Sequence, residues 1–182
     1  MSGILVILSG PSGVGKDAVI DAWIAANPRV TRVVTYTTRA PRDGETDGVD
    51  YNFVTPEKFA ELDGLGRFWE SKNVHGQMYA SPKADTERLL AQGRVAILKI
   101  DVQGALEVMQ LCPEAVTVFI MPPSDAELER RIRDRATEDE ATIERRLDTA
   151  KKEIECAGRY QHRVVNEDLA KTVRDLQEIV SR

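Results

Sequence analysis

A glycine-rich stretch near the N-terminus has the residue types and spacing that bind phosphate groups. Gly10–Lys16 reads GPSGVGK, which fits the pattern G-x-x-x-x-G-K. Glycines let backbone N–H groups turn toward phosphate oxygens, and the lysine adds a positive charge beside the terminal phosphates. The apolar run Ile4–Leu8 predicts a buried strand before the loop, and Ala18–Ile24 predicts a helix after it. A glycine-rich turn with a solvated lysine is the alternative interpretation. The expected phosphate-binding residues are Gly10, Pro11, Ser12, Gly13, Val14, Gly15, Lys16 and Asp17.

The last of these residues departs from the usual pattern. A Ser or Thr normally follows the loop lysine, and its hydroxyl meets Mg²⁺. This chain has Asp17 at that position. A carboxylate is a good ligand for Mg²⁺, although it also repels phosphate. We therefore expect Asp17 to be the metal ligand.

A second cluster of residues suited to phosphate lies about 20 residues further along the chain. Thr35–Glu45 reads TYTTRAPRDGE and places two arginines among several hydroxyls. Arg39 and Arg42 are three residues apart, and each guanidinium can bind a phosphate with two N–H groups. A solvated strand edge is the alternative for this segment taken alone.

Composition limits the class of protein that these sites belong to. The chain has 182 residues, 42% hydrophobic and 30% charged, which predicts one globular domain. Its net charge of −5 argues against sequence-independent binding of nucleic acid. Scarce cysteines, Cys112 and Cys156, are typical of a reducing compartment. Because no apolar run is long enough to span a membrane and no signal-like segment begins the chain, we expect a soluble cytoplasmic protein with no membrane partner.

Strands that alternate with helices predict an α/β protein with a parallel sheet. The further strands are expected at Val95–Ile100, Ala115–Met121 and Arg163–Val165. Between about 34 and 82, β-branched and aromatic residues alternate with Gly- and Asp-rich turns, which predicts a small, mostly antiparallel insertion.

Capping patterns predict three helices in the second half of the chain. Ser124 with Glu127 and Thr137 with Glu140 form capping boxes, each opening a charged helix. The second of these helices is expected to end near Gly158. The last helix is capped by Asp168, with Leu169, Val173, Leu176 and Val180 facing inward.

Ordered motifs along the rest of the chain carry a family resemblance. The segments DGVDYNF (47–53), FWE (68–70), VHG (74–76), YAS (79–81), IDVQGA (100–105) and VNEDL (165–169) follow the two phosphate clusters in order. Together they resemble the guanylate kinase family over nearly the whole length. The resemblance implies a single P-loop kinase domain with core segments 1–33, 83–123 and 151–182, a GMP-binding insertion at 34–82 and a helical lid at 124–150. It implies transfer of a phosphoryl group from ATP to GMP, with Mg²⁺, in purine nucleotide metabolism.

The same resemblance implies roles for individual residues. The lid arginines Arg135 and Arg146 would meet the transferring phosphoryl group together with Lys16, and Asn166 would belong to the ATP site. Guanine offers two adjacent N–H donors that a carboxylate can accept together. His75 and His162 are expected to be structural or exposed. The residues that would hold the GMP phosphate are Thr35, Arg39, Arg42, Tyr51 and Tyr79, supported by Glu45, and those that would bind the guanine are Glu70, Ser81 and Asp101.

Several positions depart from the family pattern. The family usually has Ser at Thr35 and Gly at Ala80 and Ala136. It usually has Asp where this chain has Lys99, and Ser or Thr where it has Asp17. We hypothesise that Lys99 pairs with Asp17 or takes a phosphate contact, while Asp17 takes over metal binding.

Two other functions remain open from the sequence. Ribose 1,5-bisphosphate phosphokinases also carry Gly-Lys-Asp in the loop, although the full guanine set is a feature of guanylate kinases. A guanylate-kinase-like binding module without catalysis is the non-enzymatic alternative. The chain is expected to be a monomer or a homodimer.

Overall fold

The computed structural model describes residues 2–74, 76–135 and 139–181, apart from the side chain of Arg135. Within these residues, no helix has the length and apolar character needed to cross a membrane. The strands are β1 (Ile4–Ser9), β2 (Val30–Arg32), β3 (Tyr36–Thr37), β4 (Asn52–Phe53), β5 (Phe68–Val74), β6 (Gln77–Pro82), β7 (Val95–Lys99), β8 (Val116–Met121) and β9 (His162–Val165). The helices are α1 (Lys16–Ala26), α2 (Pro56–Gly64), α3 (Lys83–Ala91), α4 (Val102–Leu111), α5 (Asp125–Arg135), α6 (Glu140–Glu155) and α7 (Leu169–Val180), with a 3₁₀ turn at Cys156–Arg159.

The core is a parallel sheet with the strand order β2-β7-β1-β8-β9. β1 and β7 are apolar almost throughout, as strands covered on both faces must be. β1 lies between β7 and β8, and Leu8 pairs with Lys99 while Ser9 pairs with Phe119. The loop after β1 and the residues after β7 therefore leave the same edge of the sheet.

Helices cover both faces of the core sheet and bury two apolar layers. One layer includes Ile20 and Trp23 of α1 and Leu176 of α7, all fully buried. The other includes Val108 of α4 and Phe119 of β8. A sheet held between two layers gives its carboxyl edge a fixed position, which is where ligands bind in such folds.

A second sheet, with the order β4-β3-β6-β5, is built entirely from residues of the insertion. Among the described residues of this sheet, the β3–β4 pair is parallel and the β3–β6 and β5–β6 pairs are antiparallel. The predicted class, a parallel core with a mostly antiparallel insertion, is confirmed. α2 was not predicted from the sequence; its N-cap Thr55 accepts the Lys58 N–H at 3.2 Å, and its Phe59 packs on Phe68.

Two charged helices, α5 and α6, pack together through Leu128, Ile132, Ile143 and Ala150. The first capping residue is confirmed, because Ser124 Oγ accepts the Glu127 N–H at 3.2 Å.

Two local expectations about the helices of the second half were wrong, and a third holds. Asp139 caps α6, since its Oδ1 accepts the Thr142 N–H at 2.8 Å; the expected cap, Thr137, lies outside the described residues. The helical segment ends near Gly158 as expected, because the 3₁₀ turn Cys156–Arg159 extends α6 to Arg159. Asp168 caps α7 as expected, but Leu169 follows that cap directly and is exposed.

Candidate functional site

A cleft of about 600 Å³ opens at the carboxyl edge of the core sheet and reaches the second sheet. It brings together residues that the sequence places far apart. The expected site residues that line it are Gly10, Ser12, Lys16, Asp17, Thr35, Arg39, Arg42, Glu45, Tyr51, Glu70, Tyr79 and Asp101. The cleft therefore joins the two phosphate clusters to the residues expected to bind a base.

The phosphate loop is held from behind by Asn166. Its Nδ2 donates to the Val14 carbonyl at 2.8 Å, and both residues are buried. Gly15 has a φ of 94°, and a Cβ there would lie 2.9 Å from the same Asn166 nitrogen. Pro11 and Val14 are buried beneath the loop. Asn166, expected in the ATP site, therefore holds the phosphate loop in its shape.

Lys16 begins α1 and bends back over the loop. Its Nζ donates to the carbonyls of Gly10 and Pro11, the latter at 3.0 Å. Burial lowers the pKa of Lys16 to about 8, and the nearby Lys99 lowers it further against the opposing charge of Glu153. A desolvated ammonium of this kind interacts strongly with any phosphate that reaches it.

The second phosphate cluster is organised around the pair of Arg39 and Glu45. Arg39 contacts both carboxylate oxygens, at 2.9 and 2.8 Å, and Glu45 also accepts the Arg42 N–H at 2.8 Å. The Arg39 hydrogen bond is the main reason why the pKa of Glu45 falls to about 2. Arg39 lies 5.4 Å from the centre of the Tyr51 ring, and Tyr79 packs edge-on against Tyr51. Glu45 therefore holds the Arg39 guanidinium in place, and Tyr51 and Tyr79 beside it line the cleft.

A buried carboxylate marks the far end of the cleft. Glu70 is 8% exposed, and its Oε1 accepts the Ser81 hydroxyl at 2.7 Å. Asp101 caps α4 by accepting the Gly104 N–H at 2.8 Å. A Cβ on Gly104 would lie 2.8 Å from Glu70 Oε2, so the absence of a side chain there leaves room for the carboxylate. Burial raises the pKa of Glu70 to about 7, with a smaller contribution from Asp101.

The arginines of α5 and α6 have different surroundings. Arg146 reaches the loop, where its NH2 lies 3.4 Å from Ser12 Oγ. Arg131 donates to the carbonyls of Val14 and Asn166 at 3.3 to 3.4 Å, a contact that the sequence analysis missed. The side chain of Arg135 lies outside the described residues. Arg130 and Arg133 form exposed ion pairs along the helices, as residues of a solvated face do.

Asp17 and Lys99 are brought together as hypothesised. Lys99 Nζ donates to Asp17 Oδ1 at 2.7 Å, and Arg32 NH1 lies 3.3 Å from the same oxygen. Burial alone would raise the pKa of Asp17, but Lys99 and Arg32 hold it below its usual value. Asp17 is therefore a carboxylate paired with two cations at the edge of the cleft.

Several residues of the cleft were not predicted from the sequence. Arg32 ends a strand that was missed, and Lys72 lies in β5, paired with Glu107 of α4. Glu153 comes from α6, and its Oε2 accepts the Ser12 N–H at 3.2 Å. No local motif contains these residues, so only their position in the fold identifies them.

The described residues contain no group of three or more His, Cys, Asp or Glu side chains able to hold a metal ion. One carboxylate together with substrate phosphates is nevertheless a common way to bind Mg²⁺. The exposed Asp17 carboxylate, next to Lys16, fits that arrangement. Of the two histidines, His162 lies half-buried in β9 and is not among the residues lining the cleft, and His75 lies outside the described residues.

A phosphate loop at the carboxyl edge of a parallel sheet, facing a second cluster of phosphate-binding side chains, is typical of P-loop kinases. Comparison with known proteins agrees. A family profile described as guanylate kinase matches residues 2–182. A guanylate kinase of Nitratidesulfovibrio vulgaris is 46% identical over 176 residues, covering 97% of this chain and 85% of that protein. One of Syntrophotalea carbinolica is 42% identical over 179 residues, covering 98% and 85%.

A solved structure gives the same result. The crystal structure of guanylate kinase from Anaplasma phagocytophilum matches with a TM-score of 0.78 and 33% sequence identity. The match covers 99% of this chain and 85% of that one. The chain belongs to the guanylate kinase family.

Proposed function

We propose that this protein is an ATP-dependent kinase that phosphorylates GMP to GDP. The observation that carries the proposal is the continuous cleft, which runs from the phosphate loop at Lys16 to the buried carboxylate of Glu70. Its two phosphate clusters suit a donor and an acceptor that both carry phosphate. A carboxylate at the end of the cleft suits the adjacent N–H donors of guanine, and adenine presents a different edge.

In the proposed reaction, an oxygen of the GMP phosphate attacks the γ-phosphorus of ATP. The bond between that phosphorus and the bridging oxygen breaks, and ADP leaves. Protein groups contribute mainly position and positive charge in such a transfer. Lys16 and the lid arginines Arg135 and Arg146 would offset the charge on the transferred group.

The acceptor would be held by both ends of its molecule. Its phosphate would be bound by Thr35, Arg39, Arg42, Tyr51 and Tyr79. Glu45 would hold the Arg39 side chain and the Arg42 N–H in place. Glu70 would accept the N–H donors of guanine, with Ser81 holding that carboxylate and Asp101 beside it. A site with such groups rejects a base that lacks the matching donors, because its own polar atoms are then left unpaired.

Mg²⁺ is the proposed cofactor, with Asp17 as the protein residue that would hold it beside the nucleotide. When bound, the ion would neutralise charge on the phosphates. The Asp17 carboxylate supports this, because it is accessible and stays ionised next to its two cations.

The division of labour along the chain is part of the proposal. Residues 34–82 would bind GMP, residues 124–150 would form the lid, and the remaining segments would form the core. The contact of Arg146 with the phosphate loop supports a lid that meets the nucleotide. We further propose a cytoplasmic location, since both cysteines are free thiols, and a monomer or homodimer as the working form.

A coupled assay of ADP release tests the function. Purified protein with ATP and Mg²⁺ is offered GMP, AMP and ribose 1,5-bisphosphate in separate reactions. Rapid turnover with GMP and little with the other two is expected. Turnover with the ribose compound alone would refute GMP as the acceptor, and silence with all three despite GMP binding would indicate a binding module.

A further inference from the structure

The aspartate of the phosphate loop lies in a small charged cluster, which we call the Asp17 cluster and define as Asp17, Lys99 and Arg32. Lys99 Nζ is 2.7 Å from Asp17 Oδ1, and Arg32 NH1 is 3.3 Å from it. Arg32 also contacts Asp21, at 2.9 Å. All three members of the cluster line the same cleft as Lys16.

The position of Lys99 places its charge beside the expected donor phosphates. Lys99 ends β7 and pairs with Leu8 of β1, the strand that leads into the phosphate loop. Its side chain is 22% exposed, whereas that of Asp17 is 63% exposed. Lys99 also helps to lower the pKa of Lys16, so the two ammonium groups affect each other electrostatically. The backbone therefore fixes Lys99 in the wall of the cleft, and the Asp17 carboxylate is exposed to the cleft.

The Lys99 ammonium has more N–H donors than its hydrogen bond with Asp17 uses. An ammonium group carries three N–H donors. Within the described part of the chain, Lys99 Nζ donates one hydrogen bond, to Asp17 Oδ1. Two donors of a partly buried cation can therefore serve a ligand in the cleft.

The negative charge of an acidic residue in a phosphate loop needs a nearby positive charge to offset it. A triphosphate bound at Lys16 brings several negative charges close to Asp17, and an isolated carboxylate there would repel them. Lys99 and Arg32 offset that charge before the nucleotide arrives. The spare donors of Lys99 then face a strongly anionic ligand, which an ammonium binds well.

Building on the proposed function, we propose that Lys99 is a phosphate-binding residue of the ATP site. Its ammonium contacts the phosphates with the donors that Asp17 leaves free, and Asp17 is its counter-ion. Because Lys99 both attracts phosphate and neutralises Asp17, the two residues must be energetically coupled.

Calorimetric titration of ATP in excess EDTA tests this coupling without any metal. In the native background, Lys99→Met is expected to weaken metal-free ATP binding by about tenfold. Asp17→Ser is expected to tighten it, because a repulsive charge is removed. In the Asp17→Ser background, Lys99→Met should cost less than about threefold, since no carboxylate is then left uncompensated. Added Mg²⁺ should strengthen ATP binding less in Asp17→Ser than in the native protein.

Asp21→Asn is the matched control. Asp21 lies one turn further along α1 and shares Arg32, but it does not line the cleft. This variant should bind ATP as the native protein does. If Lys99→Met lowered the melting temperature but left metal-free ATP affinity unchanged, the pair would be purely structural and the proposal refuted. Equal effects of Lys99→Met in both backgrounds would refute the coupling.

Measuring both ATP binding and GMP phosphorylation distinguishes a failure of this proposal from a failure of the proposed function. A native protein that binds ATP in the expected pattern but does not phosphorylate GMP would contradict the function and leave Lys99 in its role. A native protein that phosphorylates GMP, with Lys99→Met unchanged in ATP binding, would contradict only the role of Lys99. Failure of the native protein to bind ATP with or without Mg²⁺ would refute both.

Discussion

The buried carboxylate of Glu70 should destabilise the nucleotide-free protein, and Glu70→Gln should relieve this effect. Burial raises the pKa of Glu70 from its usual 4.5 to about 7. Between these two pKa values, the folded state therefore holds a proton that the unfolded state has released. The resulting loss of folding stability, the penalty, is absent below about pH 4.5. It grows as the pH rises and is complete above about pH 7. The full penalty is about 3 kcal/mol, of which about 2.5 kcal/mol develops between pH 5 and pH 8.

Urea unfolding of the native protein and of Glu70→Gln at pH 5 and pH 8 measures this penalty. Glutamine keeps an oxygen for the Ser81 hydroxyl and loses only the charge. Any fixed packing cost of the amide is the same at both pH values, so the change in the stability difference isolates ionisation. The variant should gain about 2.5 kcal/mol relative to the native protein on going from pH 5 to pH 8. For a chain of this length, that corresponds to about 5 to 10 °C in Tm.

Glu87→Gln provides the reference, because Glu87 is exposed on α3. Its stability difference from the native protein is the baseline for removing an exposed carboxylate. If the stability difference of Glu70→Gln depended on pH no more than this baseline does, the Glu70 carboxyl would titrate normally and the reasoning from burial would be refuted. The variant should in addition lose most GMP turnover, since an amide cannot accept two N–H donors from guanine as a carboxylate does.

Three further changes test other contacts in the cleft. Gly104→Ala places a Cβ 2.8 Å from Glu70 Oε2 and should raise the KM for GMP by about tenfold without altering the KM for ATP. Glu45→Gln removes the ionised partner of Arg39 and should raise the KM for GMP by about tenfold in steady-state assays. Glu153→Gln removes a negative charge of α6 that lies beside the phosphate loop, and should lower the KM for ATP about threefold.

Each of these changes has a matched reference and a contradicting result. Gly158→Ala, at an open position with no atom within 4 Å of a built Cβ, should leave both KM values unchanged. A similar rise in both KM values for Gly104→Ala would indicate general damage to the fold. Glu45→Asp keeps the charge and should weaken GMP binding less than Glu45→Gln, and equal losses would contradict the role given to that charge. Exposed Glu155 on the same helix is the control for Glu153, and weaker ATP binding in Glu153→Gln would show that the carboxylate supports the nucleotide.

The phosphate loop could be predicted from sequence because its chemistry lies within seven consecutive residues. The strand before it and the helix after it are set by local apolar pattern, so Lys16 lies where the motif places it. The core strands β7 and β8 were predictable for the same reason. Short continuous apolar runs are typical of buried parallel strands.

Residues that reach the site from distant elements could not be predicted in the same way. Glu153 contacts Ser12 across 141 positions of sequence, and no motif surrounds it. Arg32 follows a three-residue strand that is too short to show a period. The pairing of Asp17 with Lys99, across 82 positions, could be suspected only because both residues depart together from the family pattern.

Local sequence patterns also gave two wrong predictions, one about a helix cap and one about a buried side chain. Thr137 and Asp139 are both suitable caps, and the structure uses Asp139, whose carboxylate reaches the Thr142 N–H. Leu169 matched the helical period of α7, yet its place directly after the cap leaves it exposed. The capping contact of Asp139 and the exposure of Leu169 depend on three-dimensional geometry at the helix ends, and sequence periodicity does not contain that information.

The most direct test of the central claim is a comparison of kcat/KM for GMP and IMP with saturating ATP and Mg²⁺. The two acceptors differ by the 2-amino group of guanine, which Glu70 is proposed to bind. We expect rapid turnover of GMP and a kcat/KM for IMP lower by about a hundredfold. Equal values for the two acceptors, or no turnover of GMP, would contradict the assignment of this cleft as a guanine-specific kinase site.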